Sequence, residues 1–223
     1  MAYNFDTIAA NYDRMNRLMT LGLDRCWRNR AVKGMKGNVL DVACGTGDMM
    51  VSLAERGCTV TGVDLSEEML EVARFKVQGS RLMVANAEHL PFEDNTFDAV
   101  TCAFGVRNFV HLEQGLGEML RVLKPGGTMV ILELATPDCV LVRPFYRFYT
   151  KRIIPWLGSR IAGNREAYTY LPQSIERFPK GGAFLQIIRN CWPSRRHTTE
   201  FGIRNCREWK LTFGVCRMYK VVK

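Results

Sequence analysis

The chain has 223 residues, enough for one α/β domain with a substantial core and short for two. Apolar residues make up 47% and charged residues 24%, which excludes a disordered or low-complexity chain. A formal charge of +9 asks for nucleic acid, anionic lipid or an acidic substrate as partner, or for a solvated basic face.

The start, Met1 to Asp6, has no basic region followed by an apolar stretch, and no apolar run reaches bilayer-spanning length, so a cytosolic protein is expected. Eight cysteines without a C-x-x-C pair and three isolated histidines argue against a metal site and against a disulfide framework. Phe5, Ile8, Tyr12, Met15, Leu18 and Met19 stand at helical spacing. They predict one or two amphipathic helices within an N-terminal cap over residues 1–35.

Residues 38–43 then read as a short strand running into a glycine-rich turn, with a helix at about 47–56. A second strand, 58–63, ends at Asp64, and Ser66 caps the helix that follows. Further strands are predicted at 81–85, 97–103 and 129–134. A helix over 112–123 is expected to stop at Lys124-Pro-Gly-Gly127. Strands alternating with helices mean βαβ units and a doubly wound, mostly parallel sheet in a single domain over residues 1–223. A basic, aromatic insertion at 139–180 follows the fifth strand, and strands near 203–209 and 211–219 complete the sheet.

Open sheets of this kind bind ligands at the carboxyl ends of their strands. The first turn reads Asp41-Val-Ala-Cys-Gly45-Thr46-Gly47-Asp48. Gly45 and Gly47 permit a tight bend and close ligand approach. Asp64, at the end of the second strand, can accept both hydroxyl protons of a ribose. A nicotinamide cofactor fits that much, but its fingerprint needs a small residue where Met50 stands. Asp41 and Asp48 beside the turn would repel a pyrophosphate. They suit a cation such as the amino group and sulfonium of S-adenosylmethionine.

Asp41–Asp48, Asp64-Leu-Ser66, Asn86-Ala-Glu-His-Leu-Pro-Phe92 and Leu123-Lys-Pro-Gly-Gly127 resemble the ordered motifs of class I methyltransferases, with their Rossmann-like fold. More narrowly, the chain resembles the menaquinone and ubiquinone biosynthesis C-methyltransferases. That likeness rests on Phe5-Asp-Thr-Ile-Ala-Ala-Asn-Tyr-Asp13, Trp27-Arg28, Phe104-Gly-Val-Arg-Asn108, Tyr168-Thr-Tyr-Leu-Pro-Gln-Ser-Ile175, Phe178-Pro179 and Leu211-Thr-Phe-Gly214. The resemblance implies that Thr46 contacts the methionine part of the cofactor and Asp64 the ribose, with Asn86 and Ala87 beside the adenine. The family often has serine before Phe-Gly-x-Arg-Asn. Ala103 stands there, so that contact is not carried over. Residues 191–199 also depart from the family's usual helix.

Methyl transfer to a ring carbon needs alignment and an electron-rich acceptor. An oxidised quinone is electrophilic, so the expected substrate is a polyprenyl quinol, demethylmenaquinol first. The alternatives are a benzoquinol, a sterol or a phenol, and a non-catalytic S-adenosylmethionine-binding protein. Arg107 is expected to stabilise a developing phenolate and Asn108 to orient a water or the second ring oxygen. A salt bridge to a neighbouring carboxylate competes for Arg107. Tyr168 and Tyr170 are candidates to position the ring, and Tyr12 to cap the site, with core packing as the competing role. Segment 143–162 mixes aromatics and cations without an acid, as in a helix lying on an anionic membrane surface or lining a channel for a prenyl tail. No nucleic-acid-binding module is recognisable. The sequence leaves oligomeric state open, a homodimer among the options.

Overall fold

Seven strands form one sheet in the order β3-β2-β1-β4-β5-β7-β6, comprising β1 (Asn38–Val42), β2 (Thr59–Asp64), β3 (Arg81–Val84), β4 (Phe97–Ala103), β5 (Leu123–Leu134), β6 (Asn205–Leu211) and β7 (Cys216–Val222). The computed structural model describes residues 9–161, 165–191, 203 and 205–223, without the side chains of 9–11, 157–159, 161 and 165–170. Strands β1 to β5 are mutually parallel, while β7 lies antiparallel to β5 and β6 antiparallel to β7. Chain order reverses between β1 and β4, and such a switch point is where an open sheet leaves a crevice for a ligand.

Period-two alternation feeds two cores, one on each face of the sheet. From β1, Val39 joins Trp27, Met50 and Leu53 on one face, and Leu40 and Val42 join Leu116, Met119 and Phe184 on the other. Each such side chain stabilises the fold by about 1.5–3 kcal/mol through burial. The helices that cover these faces are α1 (Ala9–Thr20), α2 (Leu23–Ala31), α3 (Asp48–Ala54), α4 (Glu67–Lys76) and α5 (Leu112–Val122). Ser66 caps α4, its hydroxyl accepting the Met69 N–H at 3.2 Å, as the sequence predicts.

Two boundaries differ from the sequence expectation. The helix ends at Val122 and passes directly into β5 at Leu123. Leu123 pairs with Phe97 and Thr128 with Ala99, so residues 124–127 bulge from the strand with Gly126 at φ 77° rather than forming a separate turn. The last hairpin breaks at Thr212–Gly214, where Thr212 and Phe213 have φ of 46° and 56°, so β7 begins at Cys216 rather than 211.

The insertion is helical, as expected: α6 (Arg143–Phe148), a π-helical turn (Tyr149–Ile153), α7 (Ile154–Ile161) and α8 (Arg165–Arg177), followed by α9 (Gly182–Asn190). Among the described residues, no helix is long and apolar enough to cross a membrane. Most of the atypical 191–199 stretch lies outside the described residues.

Candidate active site

The turn after β1 bends through Ala43 and Gly45 with φ of 52° and 54°, and Gly47 enters α3 at φ 84°. Above it, at the carboxyl ends of β1, β2 and β4, lies a cavity of about 280 Å³. Gly45, Asp64, Asn86, Ala87, Asn108 and Tyr12 all belong to its wall. Asp64 Oδ2 accepts the Gly45 N–H at 2.8 Å and Oδ1 accepts the Ser66 N–H at 3.0 Å. That grip fixes the end of β2 against the glycine turn. The Gly45 backbone lies beneath Tyr12, since a Cβ there would stand 3.9 Å from the tyrosine ring.

The charge of this wall is informative. Among the described residues that line it, the charged ones are Asp64 and Glu88, and none is Lys, Arg or His. Glu88 is buried and its Oε1 accepts the N–H groups of Val110 and His111 at 2.7 and 2.9 Å, tying the loop after β4 to the loop after β3. An acid-lined cavity disfavours a pyrophosphate and suits a ligand carrying positive charge.

Asp41 and Asp48, the acids read from the sequence as flanking the turn, are not among the described residues of this wall. Asp48 is tied to Lys76 at 2.8 Å, and Lys76 also pairs with Asp13 on α1. Burial pulls the Asp48 carboxyl up, but the hydrogen bond and charge of Lys76 outweigh it and the net pKa is lowered. Asp41 is 1% exposed and does not contribute to the cavity wall. Its Oδ1 accepts from Thr101 Oγ1 at 2.6 Å, its Oδ2 has no hydrogen-bond donor among the described residues, and burial pushes its carboxyl up to about 7. Asp41 and Asp48 therefore do not flank the turn as two bare charges. Thr46 and Gly47 also stand behind the wall. Thr46 Oγ1 donates to Asp13, and a Cβ on Gly47 would meet the Ala73 Cβ at 3.2 Å, so Gly47 is required where α3 packs on α4.

A second cavity, of about 210 Å³, lies between the N-terminal helices and the insertion. Leu21, Leu23, Tyr146, Tyr149, Ile175 and Arg107 contribute to its predominantly apolar wall. Tyr12 and Phe104 belong to both cavities, so the two compartments abut across these rings. Phe104 holds φ 62° with Trp27 edge-on at 6.3 Å and the Arg28 guanidinium 5.0 Å from its ring centre. Leu21, Ala43, Phe104 and Thr212 all line one of the two cavities with positive φ, and backbone strain of this kind concentrates at functional sites.

Arg107 and Asn108, adjacent in a short helical turn, face different compartments: Asn108 lines the first cavity and Arg107 the second. Arg107 Nη1 is 2.7 Å from Glu133 Oε1 and also donates to the Phe104 carbonyl. The salt bridge weighed against a catalytic role thus exists, within the wall of the cavity. Burial pushes the Tyr146 phenol up, so it stays protonated and can only donate or accept as a neutral hydroxyl. Cys44 and Cys102, buried beneath the turn, are likewise held as thiols. Tyr168 and Tyr170 fall on α8, but their side chains lie outside the described residues. In the sequence, Phe104 and Glu88 stand as ordinary members of longer motifs. Neither polarity nor spacing marks them, because their roles come from loops that meet in space.

The ubiE/COQ5 methyltransferase family model matches residues 2–223. The chain is 41% identical to the ubiquinone/menaquinone biosynthesis C-methyltransferase UbiE of Geotalea daltonii, over 96% of this chain and 92% of the relative. It is 39% identical to the demethylmenaquinone methyltransferase of Bacteroides fragilis, over 98% of this chain and 90% of the relative. A solved S-adenosylmethionine-dependent methyltransferase from Thermotoga maritima superposes with a TM-score of 0.68 at 19% identity, covering 98% of each chain, a likeness of fold alone. One from Aquifex aeolicus does so with a TM-score of 0.59 at 18% identity, covering 94% of this chain and 97% of the other. With near-40% identity from end to end and a family model running from the second residue to the last, the chain belongs to the ubiE/COQ5 methyltransferase family.

Proposed function

We propose that this protein transfers a methyl group from S-adenosylmethionine to a ring carbon of a reduced polyprenyl quinone, demethylmenaquinol in the first instance. The observation that carries the reading is the pair of abutting cavities, one acid-lined and one apolar, that share Tyr12 and Phe104. S-adenosylmethionine supplies an electrophilic methyl on a positively charged sulfur. In the first cavity Asp64 would hold the ribose hydroxyls, Asn86 and Ala87 would border the adenine, and Gly45 would let the backbone approach closely. Asp41, Thr46 and Gly47 would act from behind, by shaping the turn.

The second cavity would take the quinol. Its apolar wall excludes water from the acceptor ring, and Arg107 would offer a cation to the ring oxygen as negative charge develops there. Glu133 would hold that guanidinium in place. Asn108 would act on the cofactor side, and Tyr12 would close the boundary between the two ligands. Tyr168 and Tyr170 are assigned to ring positioning by family likeness.

The outer rim of the second cavity would meet an anionic membrane surface, where a polyprenyl substrate resides. Helix α6 contributes Tyr146 to the cavity and leaves Phe145 and Phe148 exposed among Arg147, Lys151 and Arg152. Apolar and cationic side chains together suit an interfacial helix.

The test is incubation with labelled S-adenosylmethionine and demethylmenaquinone, reduced or oxidised, or RNA. Label on the reduced quinone alone is expected. Label only on RNA, or calorimetry showing that the protein takes up NAD and ignores S-adenosylmethionine, would overturn the reading.

A further inference from the structure

The second cavity contains a buried carboxylate, Asp24, one of whose oxygens has no hydrogen-bond donor among the described residues. Asp24 stands in the first turn of α2, is 0% exposed, and belongs to the cavity wall together with Thr20. Its Oδ1 lies 2.9 Å from Thr20 Oγ1. The same hydroxyl lies 2.7 Å from the Asn16 carbonyl, and its single proton can serve only one of the two acceptors at a time. Oδ2 has no hydrogen-bond donor among the described residues; it forms a buried ion pair with Arg28 on the same helix, whose Nε stands 3.9 Å away, too far for a hydrogen bond. Tyr149, a wall residue that could have donated, gives its hydroxyl proton to the Leu18 carbonyl at 3.0 Å. A buried carboxylate with at most one shared hydrogen bond carries a free-energy penalty that a donor arriving with the ligand can remove.

We propose that Asp24 accepts the hydroxyl proton of the quinol ring. This rests on the reading of the second cavity as the acceptor site. As the methyl moves, the ring O–H proton passes to the Asp24 carboxylate. The ring carbon forms a bond to the methyl, and the methyl–sulfur bond breaks with its electron pair remaining on sulfur. The methylated ring carbon then loses its own hydrogen to solvent as a proton, and Asp24 returns its proton to the ring oxygen, restoring the quinol. One proton is released overall, matching the positive charge lost from sulfur. Among the described residues, the charged and titratable groups that face Asp24 in the cavity or pair with it are Arg28 on α2, Tyr12 on α1, Tyr146 and Tyr149 on the insertion, and Arg107, which is itself held by Glu133. Arg107 would stabilise negative charge on the oxygen but cannot take a proton, so the two residues divide the work.

The experiment compares wild type with Asp24→Asn, which keeps shape and removes the acceptor charge. Loss of one positioned proton acceptor lowers kcat by about 100-fold or more. Binding of S-adenosylmethionine by calorimetry should stay within threefold. The variant's rate should also climb with pH toward the ionisation of a free phenol, near 10, where the wild-type rate has levelled. A variant with wild-type kcat and pH profile, or one that loses cofactor binding in parallel with turnover, overturns the proposal. A second measurement needs no variant: wild type should bind a short-tailed quinol at least tenfold tighter than its dimethyl ether, and equal affinities overturn the proposal. Wild type that never labels the quinol sinks the function itself. Wild type that labels it while Asp24→Asn matches it sinks only the assignment of Asp24.

Discussion

Arg107 and Glu133 form a salt bridge of 2.7 Å with side chains 6% and 1% exposed, at the wall of the apolar cavity. Removing one partner of a buried pair strands the other, at a cost of about 3–5 kcal/mol. Arg107→Ala should therefore lose stability as well as turnover, lowering the melting temperature by roughly 10 °C in a chain of this size. The double variant Arg107→Met with Glu133→Leu should recover most of that stability and, on the role proposed for Arg107, remain below about 1% of wild-type turnover through loss of electrostatic stabilisation of the reacting oxygen. Thermal melts and single-turnover assays on the three proteins decide this. A double variant that regains turnover would reduce Arg107 to a structural residue.

Asp64 ties the first cavity to the glycine turn. Its two oxygens accept the Gly45 and Ser66 amides, and it is the acid at the end of β2 inside the first cavity. Asp64→Asn keeps one acceptor oxygen and loses the charge. Charge-assisted hydrogen bonds contribute about 1.5–3 kcal/mol each, so S-adenosylmethionine affinity should drop by roughly 10- to 150-fold. Calorimetry with the cofactor and its demethylated product measures this directly. An affinity within threefold of wild type would remove Asp64 from the binding site.

What could be read from the sequence was what is local. The glycine turn, Asp64 at a strand end and the Ser66 cap each depend on residues within a few positions of one another, and all three are formed. The partners that set the electrostatics are remote: Lys76 neutralises Asp48 from 28 positions away, and Glu133 holds Arg107 from 26. No periodicity encodes such pairings, so the sequence could not show that Asp48 is ion-paired or that Arg107 is held by a carboxylate. The apolar cavity is harder still, because its wall gathers the N-terminal helices, the loop after β4, the insertion and the final hairpin. Asp24 stands in the first turn of α2, and its burial in that wall depends on segments remote from it in sequence.

The buried Asp41 gives a pH dependence whose sign can be stated. Its carboxyl is raised from an ordinary value near 3.8 to about 7 in the folded protein. Between these values the folded state keeps a proton that the unfolded chain has released, so Asp41 lowers stability as pH rises from about 4 to 7. Asp41→Asn removes that loss while keeping an acceptor for Thr101. Relative to wild type, the variant should gain on the order of 2–4 kcal/mol between pH 4 and pH 8, the shift converted at about 1.4 kcal/mol per unit. Acidic groups with lowered pKa, such as Asp48 and Asp138, act in the opposite direction, and they cancel in the comparison. Urea melts at the two pH values measure it. Parallel stability curves for the two proteins would show that Asp41 titrates as an ordinary carboxylate.

The mouth of the apolar cavity carries the last prediction. Leu21 and Phe213 are 77% and 73% exposed, both with positive φ; Leu21 lines the cavity and Phe213 follows Thr212 in its wall. Large apolar side chains held in water by a strained backbone are costly in isolation and useful at the entrance for a prenyl tail or at a lipid surface. Burying one such side chain contributes about 1.5–3 kcal/mol, so the double substitution Leu21→Ser with Phe213→Ser should raise KM for a long-tailed quinol by at least tenfold. For an acceptor without the tail, KM and kcat should stay within about twofold, because the proposed place of the reacting ring is deeper, beside Tyr12 and Arg107. Sedimentation with vesicles separates the two uses of the rim. If the residues dock on lipid, binding to anionic vesicles falls in the double variant. If they only guide the tail, vesicle binding is unchanged while the KM difference persists. A KM increase of equal size for both acceptors would place Leu21 and Phe213 at the ring rather than at the tail, and the orientation proposed for the substrate would be reversed.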